Sequence, residues 1–338
     1  MDITNILTPF LEADGKPVSG GKLAAELGVT RVSIWTRLEQ LRQEGFVFEA
    51  SPRIGYTLIK RPEQVHPVLL VSILKRLIAT GKYKLKAPLP EIHHGEHLDS
   101  TNNEAVRRLS EGQAAPFVIS AATQTMGRGR LGRIWDSRHK KNLYLSFAFR
   151  PQSLPDKIQA ITLVLGLRLC AHLAEKYNIP AQIKWPNDIM CNGRKIAGIL
   201  TEARIDSDQI RDIVLGIGLN VNAPSLDFPF EMRDIVTSLS QEKGEPIDIN
   251  DAAADCILSI LTSYEQFSER GRGSDFETLW KKYDSLAGKT VVIRPTNNKG
   301  GESTTGVVQG IDANGCLVVR DEAGTKHVFS AGEITLAK

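Results

Sequence analysis

The stretch from Phe117 to Pro151 constrains the fold more than any other, because it tests one architecture and rejects it. "GRGRLG" (127–132) satisfies G-x-G-x-x-G, and "FVISAATQT" ahead of it reads as a strand. A dinucleotide-binding βα unit would also need a helix directly after the glycines, and an acidic residue about 20 positions on to hold a ribose. The chain instead continues "RIWDSRHKKNLYLSFAFRP", a basic turn running into another strand. The glycines therefore belong to a strand–loop–strand. Further on, "AQIKW", "KIAGILTEARI" and "DIVLGIGLNVN" are strand-like, whereas "IQAITLVLGLRLCAHLAEKYN" and "NDAAADCILSILTSYEQFS" are helix-like. Elements that cluster unequally rather than alternate predict an α+β domain with a mixed sheet over 91–282.

Different patterns flank it. Over residues 1–62, "SGGKLAAELG" predicts a helix ended by Gly28, and Thr30 caps a second with Ile34, Leu38 and Leu41 on one face. "FVFEASPRIGYTLI" alternates as two short strands about a Ser-Pro turn. Helix, tight turn, helix and β-wing resemble a winged helix-turn-helix DNA-binding domain. Arg31, Ser33, Trp35, Thr36 and Arg37 are then the base-facing candidates, with Arg53 on the wing for a phosphate. Residues 1–60 hold seven Lys/Arg and seven Asp/Glu. That neutrality is unusual for a phosphate binder and leaves open a unit kept for structure or partner contact. Residues 63–90 read as a linker helix closed by "APLPE". Residues 283–338 are strand and turn throughout, with turns at Asn314-Gly315 and Ala323-Gly324, which predicts a small SH3-like β-barrel.

A net charge of +3 is too small to make the whole molecule a polyanion binder, so a basic site must be local. Cys170, Cys191, Cys256 and Cys316 are widely spaced with no CxxC pair, which suits free thiols in the cytoplasm rather than a disulfide frame or a metal site. No leader-like segment and no apolar run of about 18 residues is apparent, so no membrane span is expected.

Two motifs carry chemistry. The loop Gly127–Arg133 alternates three glycines with Arg128, Arg130 and Arg133. No GxxxxGK[ST] occurs, and a single-stranded RNA tract would repeat outside a strand–loop–strand. A solvated basic turn has no use for so many entropically costly glycines. A compact phosphate suits the loop, since one guanidinium 4 Å from a phosphate oxygen gains about 4 kcal/mol at an effective dielectric of 20. The second motif, "IKWPNDIMCNGRKIAGIL" (183–200), turns at Asn192-Gly193. That turn pairs Met190 with Lys195 and Asp188 with Ala197, placing Lys195 diagonally beside Asp188, with Lys184 upstream in the same strand. Alone this is a surface ion pair worth about 0–1 kcal/mol. Beside a Gly-Arg loop it is a second jaw on the same anion.

"DSTNN" (99–103), "GRGRLGR" (127–133), "KWPND" (184–188), "GRKIAGIL" (193–200) and "GIGLN" (216–220), in this order, resemble the biotin protein ligases. With the helix-turn-helix ahead and the barrel behind, the chain resembles the bifunctional ligase/biotin-operon repressors over its whole length. The resemblance implies that biotin and ATP form biotinyl-5′-AMP, with Mg²⁺ expected, and that a lysine of a biotin carrier domain then displaces AMP. It also implies a homodimer in the adenylate-bound state that represses at operator DNA. Carried over, Ser100, Thr101, Asn102, Gln124, Gly127, Arg128, Gly129, Arg130, Lys195, Gly216 and Gly218 meet biotin. Arg130, Arg133, Trp135, Asn187, Lys195 and Asn220 meet the adenylate. Positive charge at the α-phosphate assigns chemistry to Arg128, Arg130 and Lys195, with Lys184 nearby. Asp188 is either the base for the incoming lysine or the charge partner of Lys195.

Residues 222–246 are expected to be a second mobile loop over ATP. The rival function is a ligand-sensing transcription regulator whose ligase-like domain only binds; a biotin sensor needs no triphosphate clamp. A lipoate-type ligase is disfavoured because such proteins lack this Gly-Arg loop.

Overall fold

The computed structural model describes residues 3–151, 158–206, 209–296 and 303–337. The chain begins with a helix that "TNILTPFLEA" did not announce, α1 (Thr4–Ala13), which contains Pro9 and buries Ile6, Leu7, Phe10 and Leu11. Next come α2 (Gly20–Glu26) and α3 (Arg31–Gln43). Gly28 between them has φ +63°, and the Thr30 hydroxyl accepts from the Ser33 N–H at 3.1 Å. Ile34, Leu38 and Leu41 are buried, as their spacing requires. The wing is β1 (Val47–Ser51) against β2 (Gly55–Lys60), and Arg53 at its turn has φ +66°.

The linker helix α4 (Pro67–Ala79) is shorter than expected and is no free connector. Leu69, Leu70, Ile73 and Leu74 are buried, and the helix packs against α1 and against α8 (Ile249–Arg270) of the central domain. Asn250 on α8 donates to the carbonyls of Pro62 and Gln64, and Arg61 pairs with Asp248 and Asp251. The winged unit is thereby tied to the catalytic half of the chain.

The central sheet has seven strands in the order β3-β4-β5-β9-β8-β7-β6. They are β3 (Glu91–Leu98), β4 (Phe117–Gln124), β5 (Leu143–Phe149), β6 (Ala181–Lys184), β7 (Asp188–Cys191), β8 (Arg194–Asp206) and β9 (Gln209–Leu219). Only β3 and β4 run parallel, so the sheet is mixed. One face packs α6 (Ile158–Tyr177), backed by α8, over a continuous apolar core. The other carries α5 (Thr101–Ser110) across β4, β5 and β9 and leaves the β8–β9 glycines open beside it. That uncovered strip becomes the site. Two short helices, α7 (Leu239–Lys243) and α9 (Phe276–Tyr283), flank α8 in sequence.

The C-terminal unit is an antiparallel sheet ordered β13-β12-β11-β10-β14. Its strands are β10 (Thr290–Pro295), β11 (Thr304–Ile311), β12 (Leu317–Arg320), β13 (Lys326–Phe329) and β14 (Gly332–Leu336). Among the described residues no ladder joins β13 to β14, so the SH3-like barrel stays open on that side. Buried Trp185 donates its indole N–H to the Gly315 carbonyl at 3.0 Å, joining the "KWPND" turn to this sheet.

Candidate active site

A cleft of 560 Å³ runs over the open strip. Its walls are the start of α5, the Gly-Arg loop, the β6–β8 hairpins, residues 228–236 and the first residues of β14. Every residue expected to meet biotin, the adenylate or the reacting groups lines it except Gly127.

One end is lined mostly by neutral, buried polar groups. Ser100, Thr101 and Asn102 at the α5 N-terminus are buried. The Thr101 N–H and hydroxyl both donate to Gln124 Oε1, at 2.7 and 3.1 Å. Gln124 Nε2 donates to Ser137 Oγ at 2.8 Å. Ser146 Oγ donates to Asn102 Oδ1 at 2.6 Å, and Asn102 Nδ2 donates to Glu202 Oε2 at 2.8 Å. Gly216 forms the floor directly beneath Asn102, where a Cβ would overlap Oδ1; Gly218 does the same beneath the Trp135 indole. Trp135 also covers Gly198, and its Nε1 is buried with no hydrogen-bond partner among the described residues. An orphaned buried donor is costly unless something accepts from it. Gly127 serves differently from expectation: its Cα faces the Trp135 carbonyl and Ser137 Oγ, so its bareness lets the loop close on itself.

The other end is charged and half open. The loop is a small hairpin, with the Gly129 N–H on the Arg133 carbonyl at 2.8 Å, the Trp135 N–H on the Gly127 carbonyl at 3.0 Å and Leu131 at φ +57°. Its three arginines diverge. Arg130 Nη1 donates to Asn187 Oδ1 at 3.1 Å. Burial lowers the Arg130 pKa, with Asp188 and Glu333 opposing the shift and Arg133 reinforcing it. Arg133 pairs with Glu333 of β14. Arg128, expected beside Lys195, instead pairs with Glu202 at 2.7 Å and donates to Asn103 Oδ1 at 3.0 Å, toward α5. Strand alternation would send residues 128 and 130 to one side, but the chain leaves the strand at the Arg130–Gly132 turn, and the Glu202 carboxylate and Asn103 amide draw Arg128 the other way.

Lys195 Nζ lies 2.7 Å from Asp188 Oδ1 and 5.2 Å from the centre of the Trp135 ring. The pair forms through a different register from the expected one. Met190 faces Lys195, but a bulge follows and Asp188 faces Gly198 rather than Ala197. Ile196 and Ala197 are both buried at that irregularity while Lys195 stays in the cleft. Nor is Lys184 in the same strand as Asp188. The Trp185–Asn187 turn reverses the chain, so Lys184 on β6 sits directly across from Asp188 on β7.

Two adenylate candidates brace the frame. Asn187 Nδ2 holds the Ile199 carbonyl at 2.7 Å, and buried Asn220 holds the Thr237 carbonyl at 3.0 Å. The segment expected to stand off as a mobile cover is bonded to the hairpin. The Lys195 N–H donates to the Ile235 carbonyl at 2.7 Å, the Thr237 N–H to the Lys195 carbonyl at 2.9 Å, and Phe228 and Val236 are buried.

In the winged unit Arg31, Trp35, Thr36 and Arg53 are exposed. Ser33 and Arg37 are half-buried and already engaged, with the Thr30 hydroxyl and Gln40 respectively. Sequence reasoning missed Ser137, Ser146, Glu202 and Glu333. Ser146 was detectable as a lone polar residue in the apolar strand "LYLSFAF". Glu333, 200 positions from Arg133, left no local signal.

A mixed-sheet core with a Gly-Arg flap over an amide-lined floor, behind a winged helix and ahead of a small β-sheet, defines a biotin/lipoate-type protein ligase fused to a DNA-binding unit. Comparison agrees: the Biotin/lipoate A/B protein ligase family matches residues 94–220, an HTH domain 3–57 and the Biotin protein ligase C terminal domain 292–336. The bifunctional ligase/repressor BirA of Bacillus subtilis is 33% identical over 97% of this chain and 96% of its own length. That of Escherichia coli is 30% identical over 96% and 95%. The biotin protein ligase from Aquifex aeolicus, solved with biotin and ATP, superposes with a TM-score of 0.61 at 28% identity, over 74% of this chain and all of that one. The chain belongs to the bifunctional ligase/repressor family.

Proposed function

We propose that the sealed end of the cleft holds the biotin ureido ring and the charged end holds the carboxylate and the nucleotide. The chain is a biotin–protein ligase and repressor using biotin and ATP. A biotin carboxylate oxygen attacks the α-phosphorus and pyrophosphate leaves. The ε-amine of a carrier-domain lysine then attacks the acyl carbon, losing its proton as AMP leaves.

Arg130 and Lys195, brought to one end of the cleft from separate elements, carry this reading: both can neutralise charge gathering on the transferred phosphoryl group. The neutral hydroxyls and amides suit a ureido group, whose donors and acceptor need partners when buried. Trp135 offers a ring face and an unclaimed N–H to the adenylate. Asp188, already on Lys195, orients the incoming ammonium and takes its proton; about 0.1% of such an amine is neutral at pH 7.4.

Mg²⁺ would arrive on the triphosphate, as it usually does. Among the described residues no group of three His, Cys, Asp or Glu side chains could cage it, so no protein ligand is assigned. Beyond Ile199 one edge of β8 has no strand partner among the described residues and could pair with a second copy, which supports a homodimer. Arg31, Trp35, Thr36 and Arg53 would face operator DNA. The biotin carboxyl carrier domain as acceptor, the cytoplasm as location and boundaries at 62/63, 90/91 and 282/283 belong to the same proposal.

Biotin-dependent ATP–pyrophosphate exchange, followed by label transfer to a carrier domain, tests it. A chain that binds biotin without exchange would be the binding-only sensor instead. A mobility-shift series against salt tests the winged unit, and absence of sequence preference at every ionic strength would remove DNA from the account.

A further inference from the structure

The sealed end contains one group that does not fit a neutral pocket. Glu202, on β8, is the carboxylate bonded into the amide and hydroxyl network, and it is half-buried. Its two oxygens are divided: Arg128 holds Oε1 at 2.7 Å, and Asn102 Nδ2 donates to Oε2 at 2.8 Å.

This division has a directional consequence. An ionised carboxylate only accepts, so Asn102 must turn its NH₂ toward Glu202 and its carbonyl the other way. The carbonyl then lies against Gly216 and takes the Ser146 hydroxyl at 2.6 Å on one lone pair. Its second lone pair is left over the floor of the cleft. Neither Ser146 nor Gly216 could impose that choice, because a hydroxyl can accept as readily as donate and a glycine has no side chain.

We infer that Glu202 is a positioning residue that sets the hydrogen-bond polarity of the biotin pocket. Through Asn102 it presents an acceptor where a ureido N–H arrives. Arg128 pins the carboxylate so that it keeps this orientation, which accounts for that arginine turning away from Lys195. The inference rests on the placement of the ureido ring at the sealed end.

Glu202→Gln tests it with almost no change of shape. Gln offers one acceptor and one donor; Arg128 takes the acceptor, so the Gln NH₂ faces Asn102 and turns that amide over. A donor then meets the ureido donor. The KM for biotin should rise about tenfold, while kcat at saturating biotin stays within twofold. In an Asn102→Ala background the same substitution should change KM by less than about twofold, because the group through which it acts is gone. Melting curves would confirm that each variant folds. An unchanged KM, a parallel loss of kcat, or a full effect persisting without Asn102 would each overturn the inference. If instead the wild-type chain failed to bind biotin, or Asn102→Ala bound it normally, the pocket assignment itself would fall.

Discussion

The two ends of one cleft solve opposite problems. Around Asn102 the polar groups are hydroxyls and amides, mostly buried and linked by hydrogen bonds, with Glu202 the one carboxylate among them. Around Lys195 they are charged and part exposed, held by ion pairs and a single amide. Hydrogen-bond matching in a dry site gains its selectivity from the cost of leaving a partner unmet, roughly 1–3 kcal/mol each. Charge at the other end can serve only where a reacting anion displaces or joins the resident pairs. On the proposed reading, recognition belongs to the hydrogen-bonded end and chemistry to the charged one.

The largest test removes the charge. Lys195→Ala should lower pyrophosphate exchange about 10³-fold while biotin still protects the α5 end from hydrogen exchange. A loss below tenfold would mean that the charged end is not organised about this lysine. At the other end, Gly216→Ala puts a Cβ into Asn102 Oδ1. The KM for biotin should rise about 10²-fold with kcat nearly kept, as expected when binding rather than the reacting geometry is disturbed. If kcat collapsed too, the two ends would not be separable.

A control lies outside the cleft. Burial, aided by the Lys176 and Lys82 ammonium groups, lowers the His172 pKa to about 4 from 6.5. The folded state therefore binds this proton less readily than the unfolded chain. Stability is full above pH 6.5 and is lost as pH falls toward 4, by about 2 kcal/mol at pH 5. A thermal melt series should show that loss and His172→Gln should flatten it; identical profiles would refute the assignment. Acid effects on activity should then be compared only at matched folded fraction.

Smaller effects refine the charged end. Asp188→Asn should slow transfer from pre-formed adenylate about tenfold. Transfer at the wild-type rate would leave Asp188 as a charge partner alone. Arg133→Gln breaks an exposed pair with Glu333, which is worth little. The KM for ATP should shift about twofold, measured with biotin saturating.

Local patterns made much of the molecule legible. The Asn192-Gly193 turn brought Lys195 to Asp188, although a bulge altered the register. The helix–turn–helix, the wing and all five strands of the tail followed their alternation and turn residues. Missed elements carried weak patterns: α1 contains a proline, and β3 is "EIHHGEHL", with little apolar content. The site was legible in its motifs but not in its wiring. The divergence of the three arginines depends on which polar groups lie within reach, and those come from β8, the turn before β7 and β14.

The sequence by itself determined the order of the three parts, the Gly-Arg loop and the Lys–Asp hairpin, because spacing along one or two adjacent strands decides such features. Only the tertiary structure decided that Glu202 meets Asn102, that Glu333 meets Arg133 and that Trp135 roofs Gly218. Those contacts join residues roughly 80 to 200 positions apart. Short-range periodicity holds no information about them, since packing of the sheet against its helices sets which surfaces face each other.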